Sequence, residues 1–505
     1  MKKCIFIIAV LAFAFAAGCM DSSEGDFDFS EVTPSAPFNT HFYNPIKSDL
    51  NLGDPWVFKH GNLYYHCGGG INIFASPSIT AILSYNRVAM DRKDIWFDIK
   101  PEHLVNVWAP ELYFHKGLWY VFFTATHGVE NSADLHLNRR MYTIRSLTDD
   151  PMGDWEFRGK LELPEDQWAI DGTFFEHNDR LFTIWSGWAN YTEGIGTWRQ
   201  RLYICELEPD DPTRVLEGTT RVEIANPTYA WEIIGNYHNE GAAVIKSPAG
   251  TVFCIYSGSY SGGNNYALGY LKLIGDDPMV AENWVKNPEA LLLPSATDDV
   301  YSPGHCSITM SPDGTEYWVI YHAAKAQGAG WDRNARAQRL YWENDEPYMM
   351  NSAGVRQRPE PVSTLLPLPS GEIVDRTIYQ AEDMILGGNA RVVDKTEGGQ
   401  AVRLVTGNYA SVSLIAFVEQ AGSYGVTVRH TNPSADAERF FRLYINDSHI
   451  WVRIHAGRSG QGFTQGANIA MLHRGLNKLT LMTEYNNLDV DCVILERLQV
   501  IDDLK

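Results

Sequence analysis

The chain has 505 residues, a hydrophobic fraction of 45% and a formal net charge of −21 at pH 7. This charge argues against nucleic acid or another polyanion as the main partner. The length is sufficient for two or more domains.

Residues 1–19 have the pattern of a bacterial export signal. Lys2 and Lys3 form a basic head, and the apolar run after them is too short to cross a bilayer comfortably. The segment ends in Ala-Ala-Gly-Cys19, which resembles the lipobox of bacterial lipoproteins, with Cys19 as the lipidated residue; an ordinary secretory signal is the alternative. Residues 20–38 are acidic and contain Ser and Pro, which predicts a flexible tether. The resemblance implies a lipoprotein of the outer membrane or cell surface, or of its periplasmic side, that meets the membrane only through its lipid anchor.

A unit of two short strands recurs five times between residues 39 and 372. Each copy has a polar head residue, a short apolar strand, a turn, and a second strand rich in aromatic residues. The heads are 57 to 69 residues apart, and further strand candidates lie between the copies. Repeats of about four strands are typical of β-propellers, so the sequence predicts an all-β fold with a five-bladed propeller. The five heads are Asp54, Glu111, Asp171, Glu240 and His305.

These heads are expected to meet in a ring at one end of the propeller channel. A polar residue at a strand head can simply cap a turn, but that explanation suits one copy better than five. A ring of carboxylates can bind a hard cation or hydrolyse a glycosidic bond. The aromatic residues near the heads favour the second chemistry, because sugars bind to apolar shelves that carry a few polar groups.

The head motifs resemble those of glycoside hydrolase family 43, and they follow that family's order from about residue 40 to residue 370. The motifs are GDPWV at Asp54, VWAPEL at Glu111, AIDGTFF at Asp171, NEGAAV at Glu240, SPGHCSIT at His305 and DRNARAQ around Arg336. The resemblance implies an inverting glycosidase in which Asp54 is the general base and Glu240 the general acid. Asp171 would orient the acid and tune its pKa, and Glu111 would have a supporting, structural role.

The same resemblance implies the substrate. The motifs around Asp171 and Arg336 look most like those of members that release terminal α-L-arabinofuranosyl residues from arabinan or arabinoxylan, so a plant cell-wall polysaccharide is the expected partner. A β-xylosidase or an exo-arabinanase on the same fold is an alternative, and a non-catalytic glycan-binding lipoprotein is the alternative of another class. Substrate contacts are expected from Trp108, Trp188, Phe74 and Arg336, with Arg333 as the competitor of Arg336.

Residues 376–505 contain short alternating strands, which predict a β-sandwich of the jelly-roll type. The segments YQAEDM, AGSYGVTVRH and LDVDCVIL resemble carbohydrate-binding modules of family 6. That resemblance implies a structural calcium held by Glu382, Asp491 and Gln380. The alternative is a sandwich that packs on the propeller and binds no sugar.

No cofactor is expected for the chemistry itself, and the protein is expected to be a monomer. The resemblance to family 43 implies a structural calcium in the propeller channel near His305, although Cys306 follows where the family usually has a polar residue such as Asn. The remaining cysteines have no disulfide or zinc spacing, so buried thiols are expected. They are Cys67, Cys205, Cys254, Cys306 and Cys492.

Overall fold

The computed structural model describes residues 40–46, 53–68, 70–81, 92–94, 104–128, 135–362, 364–395, 399–405, 410–432, 439–456, 463–485 and 487–497. The predicted signal segment with Cys19 and the predicted tether 20–38 lie outside these residues. The five predicted thiols are free and buried, as expected.

A short strand precedes the first two blades of a propeller, and each of these blades is a four-stranded antiparallel sheet. The short strand is β1 (His41–Tyr43). Blade 1 comprises β2 (Trp56–His60), β3 (Leu63–Gly68), β4 (Asn72–Ser76) and β5 (Arg92–Asp94). Blade 2 comprises β6 (Leu104–His115), β7 (Leu118–His127), β8 (Arg139–Ser146) and β9 (Trp155–Lys160).

Blade 3 has five strands, and blades 4 and 5 have four each. Blade 3 comprises β10 (Ala169–His177), β11 (Arg180–Gly187), β12 (Arg201–Glu208), β13 (Asp211–Val215) and β14 (Val222–Ala225). Blade 4 comprises β15 (Asn239–Lys246), β16 (Val252–Gly258), β17 (Ala267–Leu273) and β18 (Trp284–Lys286). Blade 5 comprises β19 (Tyr301–Met310), β20 (Tyr317–Ala324), β21 (Arg333–Glu343) and β22 (Glu346–Met349).

The blades close into a circle through their first strands. Strand β2 contacts β6, β6 contacts β10, β10 contacts β15, β15 contacts β19, and β19 returns to β2. Several hairpins turn on residue pairs with positive φ at both positions, which are Lys116–Gly117, Asn178–Asp179 and Asn344–Asp345. Such pairs match the right-handed twist of the strands they join. The predicted five-bladed propeller is therefore confirmed.

Two further sheets follow the propeller and face each other across a buried apolar cluster. After β23 (Leu365–Pro367), which pairs with β1, their strands are β24 (Arg376–Gln380), β25 (Ile385–Gly387), β26 (Arg391–Asp394), β27 (Gln400–Leu404), β28 (Ser411–Val418), β29 (Gly422–His430), β30 (Arg439–Ile445), β31 (Trp451–Ala456), β32 (Thr464–Leu472), β33 (Gly475–Met482) and β34 (Leu488–Arg497). The predicted β-sandwich is confirmed; the limits of both predicted domains stay predictions.

Helical structure is confined to short segments in the part of the chain that the structure describes. One α-helix, α1 (Tyr191–Thr197), lies between β11 and β12. Single 3₁₀ turns lie at Leu135–Leu137, Ala230–Glu232, Ala281–Asn283 and Ala381–Asp383. None of these described helices has the length and apolar character needed to cross a membrane.

Buried polar contacts join the sandwich to blade 1. The carboxylate of Glu372 accepts hydrogen bonds from the Ser78 hydroxyl at 2.6 Å and from the Ile79 N–H at 2.8 Å. Four residues further on, the Arg376 guanidinium forms an ion pair with Glu496 of β34 at 3.1 Å. Because a buried carboxylate that loses its donors is costly, these contacts fix the connection between the two parts of the protein.

The predicted calcium site in the sandwich stays a prediction, and the structure shows other partners for Asp491. The buried Asp491 carboxylate contacts the Lys395 ammonium at 2.6 Å and also forms an ion pair with Arg429. Two cations therefore neutralise the buried carboxylate of Asp491 in this structure. No group of three or more His, Cys, Asp or Glu residues in the described ranges could hold a metal ion.

The ion pairs of Asp491 predict a sandwich whose stability depends on these pairs and not on calcium. Asp491→Asn should lower the free energy of unfolding by about 3–5 kcal/mol, because it leaves two buried cations without a counter-charge. Asp489→Asn is the matched control on the same strand: it removes a more exposed pair with Arg403 and should cost about 1 kcal/mol or less. Denaturant melts measure both variants. A melting temperature that rises with calcium or falls with a chelator would contradict the prediction that the sandwich does not depend on calcium.

Candidate active site

Every blade has a residue with left-handed backbone in its first strand or just before it. In blades 2 to 5 the strand register shifts at this point, which marks a β-bulge. Bulges turn side chains away from the regular strand alternation and are frequent next to active sites. The left-handed residues are Asp54 (φ 53°), Ala109 (φ 41°), Asp171 (φ 54°), Gly241 (φ 60°) and His305 (φ 42°).

The ring of heads differs from the sequence prediction in blade 2. Ala109, not Glu111, occupies the left-handed position there, and Glu111 lies two residues further along β6 with 1% of its surface exposed. The Tyr113 hydroxyl donates to Glu111 Oε2 at 2.5 Å and lies 2.5 Å from Thr173 Oγ1. Burial raises the pKa of Glu111 well above its ordinary value. Glu111 is thus a buried residue beneath the ring, consistent with the supporting role expected for it.

The other four heads line one cleft of about 950 Å³. Asp54 lies among basic groups: its Oδ1 is 3.1 Å from His305 Nδ1, 3.4 Å from His322 Nδ1 and 3.6 Å from Arg333 Nη1. Burial alone would raise the pKa of Asp54. The combined effects of these three neighbours outweigh burial and hold that pKa well below the ordinary value.

Asp171 and Glu240 form a pair of buried carboxyl groups on neighbouring blades. The N–H of Gly241 donates to Asp171 Oδ2 at 3.2 Å, which ties Asp171 to the residue directly after Glu240. Burial first, and then the charge of Glu240, raises the pKa of Asp171 well above its ordinary value. Two carboxyl groups so close to each other resist the loss of both protons. The cleft therefore has a carboxyl group with a lowered pKa, Asp54, on blade 1 and one with a raised pKa, Asp171, on blade 3.

Aromatic side chains form much of the cleft wall. They are Trp108, Trp168, Trp198, Tyr260, Tyr266 and Trp331. The Trp108 ring lies against the Arg139 guanidinium, with 3.3 Å between the ring centre and Cζ. Such walls with a few convergent polar groups are typical of sites for small organic ligands, sugars included.

Of the four side chains predicted to contact substrate, all in the described part of the chain, only Trp108 lines the cleft. Trp188 is fully buried behind the wall and stacks on Trp168, with ring centres 4.7 Å apart. Phe74 lies on β4, where its ring is 6.0 Å from that of His66. These two expectations are wrong, because both rings pack within the blades.

The expectation that Arg336 contacts the substrate is also wrong, because Arg333, its competitor, lines the cleft instead. The two residues are three apart on β21, so their side chains point to opposite faces of the strand. Arg336 is 1% exposed and donates to the Glu360 carbonyl, whereas Arg333 lines the cleft beside Asp54.

Several residues that line the cleft or lie beneath it have no counterpart in the sequence prediction. His322 accepts a hydrogen bond from the Asp54 N–H at 3.1 Å, and burial lowers the pKa of His322 to about 3. Tyr266 stacks on His322, with ring centres 5.7 Å apart, and His238 Nδ1 is 3.7 Å from Glu240 Oε2. His322 and Tyr266 come from β20 and from the residue before β17, outside the first-strand motifs. The only sequence signal for His322 was its place in the polar end of the fifth repeat, YHA.

The predicted calcium near His305 has no ligand set among the described residues. His305 directs Nδ1 at Asp54, and its backbone N–H donates to Ser257 Oγ at 2.8 Å. The backbone of Gly241 packs closely on the His305 ring, since an added methyl group there would lie 3.0 Å from it.

The family model for glycosyl hydrolases family 43 matches residues 42–348, more than half of the chain. The chain is 29% identical over 335 residues to an extracellular exo-α-(1→5)-L-arabinofuranosidase of Streptomyces avermitilis, covering 62% of this chain and 64% of that protein. It is 26% identical over 366 residues to an α-L-arabinofuranosidase 43 of Humicola insolens, covering 68% and 67%. The chain thus spans less than two thirds of the length of the first of these relatives.

Solved structures give the same picture of the fold. The crystal structure of an α-L-arabinofuranosidase from Lactobacillus brevis superposes with a TM-score of 0.53 at 25% identity, covering 64% of this chain and 98% of that chain. An exo-β-1,3-galactanase from Phanerochaete chrysosporium has a TM-score of 0.53 at 14% identity and covers 91% of this chain and 100% of its own. At 14% identity, the similarity to the galactanase shows the fold alone.

Gly241→Ala tests the left-handed position beside the carboxyl pair. The variant should lose about 1–3 kcal/mol of stability, because the new methyl group meets both a φ of 60° and the His305 ring. Gly196→Ala in α1 is the control, since its methyl group would point into open space. Urea unfolding midpoints compare the two. Equal stability of both variants would contradict the packing described for Gly241.

Proposed function

This chain belongs to glycosyl hydrolase family 43, and we propose that it is an inverting glycosidase that releases terminal α-L-arabinofuranosyl residues from arabinan or arabinoxylan. The observation that carries the proposal is the convergence of Asp54, Asp171 and Glu240, from three different blades, in one cleft walled by aromatic rings. The names of the Streptomyces and Humicola relatives support the choice of sugar.

Asp54 is the proposed general base. A base must be ionised before it can take a proton from water, and His305, His322 and Arg333 keep the pKa of Asp54 low. The same groups hold the carboxylate in place, because they contact Oδ1 from more than one direction. Oδ2 has no such contact in these ion pairs, and we assign it to the attacking water.

Glu240 is the proposed general acid, with Asp171 as its partner. The acid must carry a proton to give to the leaving oxygen, and two neighbouring buried carboxyl groups disfavour the loss of both protons. Asp171 also fixes the backbone next to the acid through its hydrogen bond from the Gly241 N–H. Asp171 therefore acts on the acid both through charge and through position.

The reaction follows from these roles. Water bound at Asp54 attacks the anomeric carbon from the face opposite the leaving oxygen, while Glu240 protonates that oxygen. The glycosidic C–O bond breaks as the new C–O bond forms, and the sugar leaves with inverted configuration. Asp54 gains the proton of the water and Glu240 loses its own, so solvent exchange restores both groups.

We also propose that the enzyme is displayed from a membrane by a lipid on Cys19. The basic head at Lys2 and Lys3, the short apolar run and the small residues before Cys19 support this anchor. The 19-residue tether predicted after it would let the cleft reach a polymeric substrate.

Leaving-group chemistry tests the acid and base assignments. Glu240→Ala should lose about 10²–10⁴-fold in kcat/KM on arabinan. Its loss on 4-nitrophenyl α-L-arabinofuranoside should be smaller, because nitrophenolate needs little protonation to depart. Asp54→Ala should lose activity on both substrates alike, since its loss removes water activation. Steady-state rates on the two substrates give the comparison.

The xyloside with the same leaving group serves as the specificity control, and wild-type enzyme should strongly prefer the arabinofuranoside. Equal recovery of the two variants on the activated substrate would contradict the assignment. Absence of turnover on the arabinofuranoside, the xyloside and arabinan, with sugar binding intact, would contradict the proposal that the protein is an enzyme.

A further inference from the structure

The position of the acid fixes the side of the cleft on which the leaving group lies. In an inverting reaction the leaving oxygen faces the acid, and the water faces the base on the other side of the sugar ring. Glu240 belongs to blade 4 and Asp54 to blade 1. The part of the substrate beyond the cleaved bond therefore extends from the sugar over the loops next to Glu240.

A series of ring contacts runs outward from the acid on this side. His238 Nδ1 lies 3.7 Å from Glu240 Oε2, and the His238 ring is 6.3 Å from the Tyr260 ring. Tyr260 in turn meets Trp331 edge to face, with ring centres 5.8 Å apart. The exposed fraction rises along this path from 6% at Glu240 to 56% at Trp331. We call Tyr260 and Trp331 the outer platform.

The outer platform is held in place although Trp331 is exposed. Trp331 Nε1 lies 3.4 Å from Ser261 Oγ, and a methyl group on Gly262 would come within 2.8 Å of Tyr260 and 3.0 Å of Trp331. Arg333 donates to the Ser261 carbonyl at 3.0 Å and also lies beside Asp54. These contacts hold the Trp331 ring in a defined position with 56% of its surface open to a ligand.

From this arrangement we infer that Trp331 and Tyr260 bind the sugar units next to the bond that is cut and make the enzyme prefer chains over short oligosaccharides. The inference rests on the proposed function, because it takes Glu240 as the acid. The ligand class is a neutral polyhydroxylated chain, such as the penultimate and following arabinofuranosyl units of arabinan. Their apolar ring faces pack on the two aromatic rings, and this contact adds binding energy only when the chain is long enough to reach Trp331.

Trp198 is the alternative aromatic contact for the part of the substrate beyond the cleaved bond. Its ring is 40% exposed on the blade 3 side of the cleft, at the end of α1. The outer platform is favoured over Trp198 because its rings are in contact with each other and with His238, which lies beside the acid. The Trp198 ring instead packs edge-on against the buried Trp188, with ring centres 5.6 Å apart.

The chain-length dependence of kcat/KM tests the inference. Wild-type enzyme should improve from arabinobiose to arabinopentaose, and Trp331→Ala should lose about tenfold on the pentaose and much less on the biose. The loss should appear in KM more than in kcat. Trp331→Phe should keep most of the preference because it retains a ring. Phe417→Ala, which removes a 62% exposed ring from β28 of the sandwich, is the matched control and should change nothing.

Each other outcome overturns a specific statement. An unaltered chain-length profile in Trp331→Ala, with turnover of 4-nitrophenyl α-L-arabinofuranoside intact in wild type, overturns the outer platform alone. A profile flattened by Trp198→Ala and not by Trp331→Ala also overturns it, because the leaving group would then lie over blade 3. Absence of wild-type turnover on every arabinofuranoside overturns the proposed function together with the platform.

Discussion

Left-handed backbone at the start of the five inner strands is the constraint on which the cleft depends. Four of the five residues are not glycine, and left-handed backbone costs such residues about 1–2 kcal/mol each. The closed circle of blades can hold them there, because each inner strand is fixed by its own sheet and by both neighbouring blades. The bulges that result direct side chains along the channel end, where an unbroken strand would direct them into the sheets.

This geometry also gives carboxyl groups in the same cleft different electrostatic surroundings. Asp54 meets three basic groups from blade 5, so its negative charge is favoured. Asp171 is buried beside the carboxyl group of Glu240, so the protonated form of Asp171 is favoured. Acid and base chemistry at one pH requires this kind of division between carboxyl groups. It arises here from which blades are neighbours and not from any local sequence motif.

The repeat pattern was sufficient to predict the propeller, because five copies with similar spacing can form only a few closed β architectures. It also predicted that Asp54, Asp171, Glu240 and His305 would meet, since the first strands of all blades end at one side of the channel. The prediction failed for Glu111, where a two-residue offset of the bulge in β6 puts Ala109 in the ring. It failed for Arg336 because the strand register, which sets the face of each side chain, was not readable from DRNARAQ alone.

Other misses involve residues that are distant in the sequence. Tyr266 and Trp331 reach the cleft from loops, and His322 lies beneath it on a second strand, so no first-strand motif contains them. Trp188 is a tryptophan, a residue type that often binds sugars, but the sequence does not show that Trp168 stacks on it and separates it from the cleft. The sequence likewise did not indicate that Lys395, directly after β26, and Arg429 of β29 neutralise Asp491.

The central claim is that Asp54 and Glu240 act from opposite sides of the sugar in a single displacement. Proton NMR of the first product formed from an α-L-arabinofuranoside tests it most directly, because the anomers can be distinguished before they interconvert. The account predicts that β-L-arabinofuranose appears first and the α-anomer only later, through mutarotation. Initial release of the α-anomer would show that configuration is retained and would contradict the roles given to both carboxyl groups.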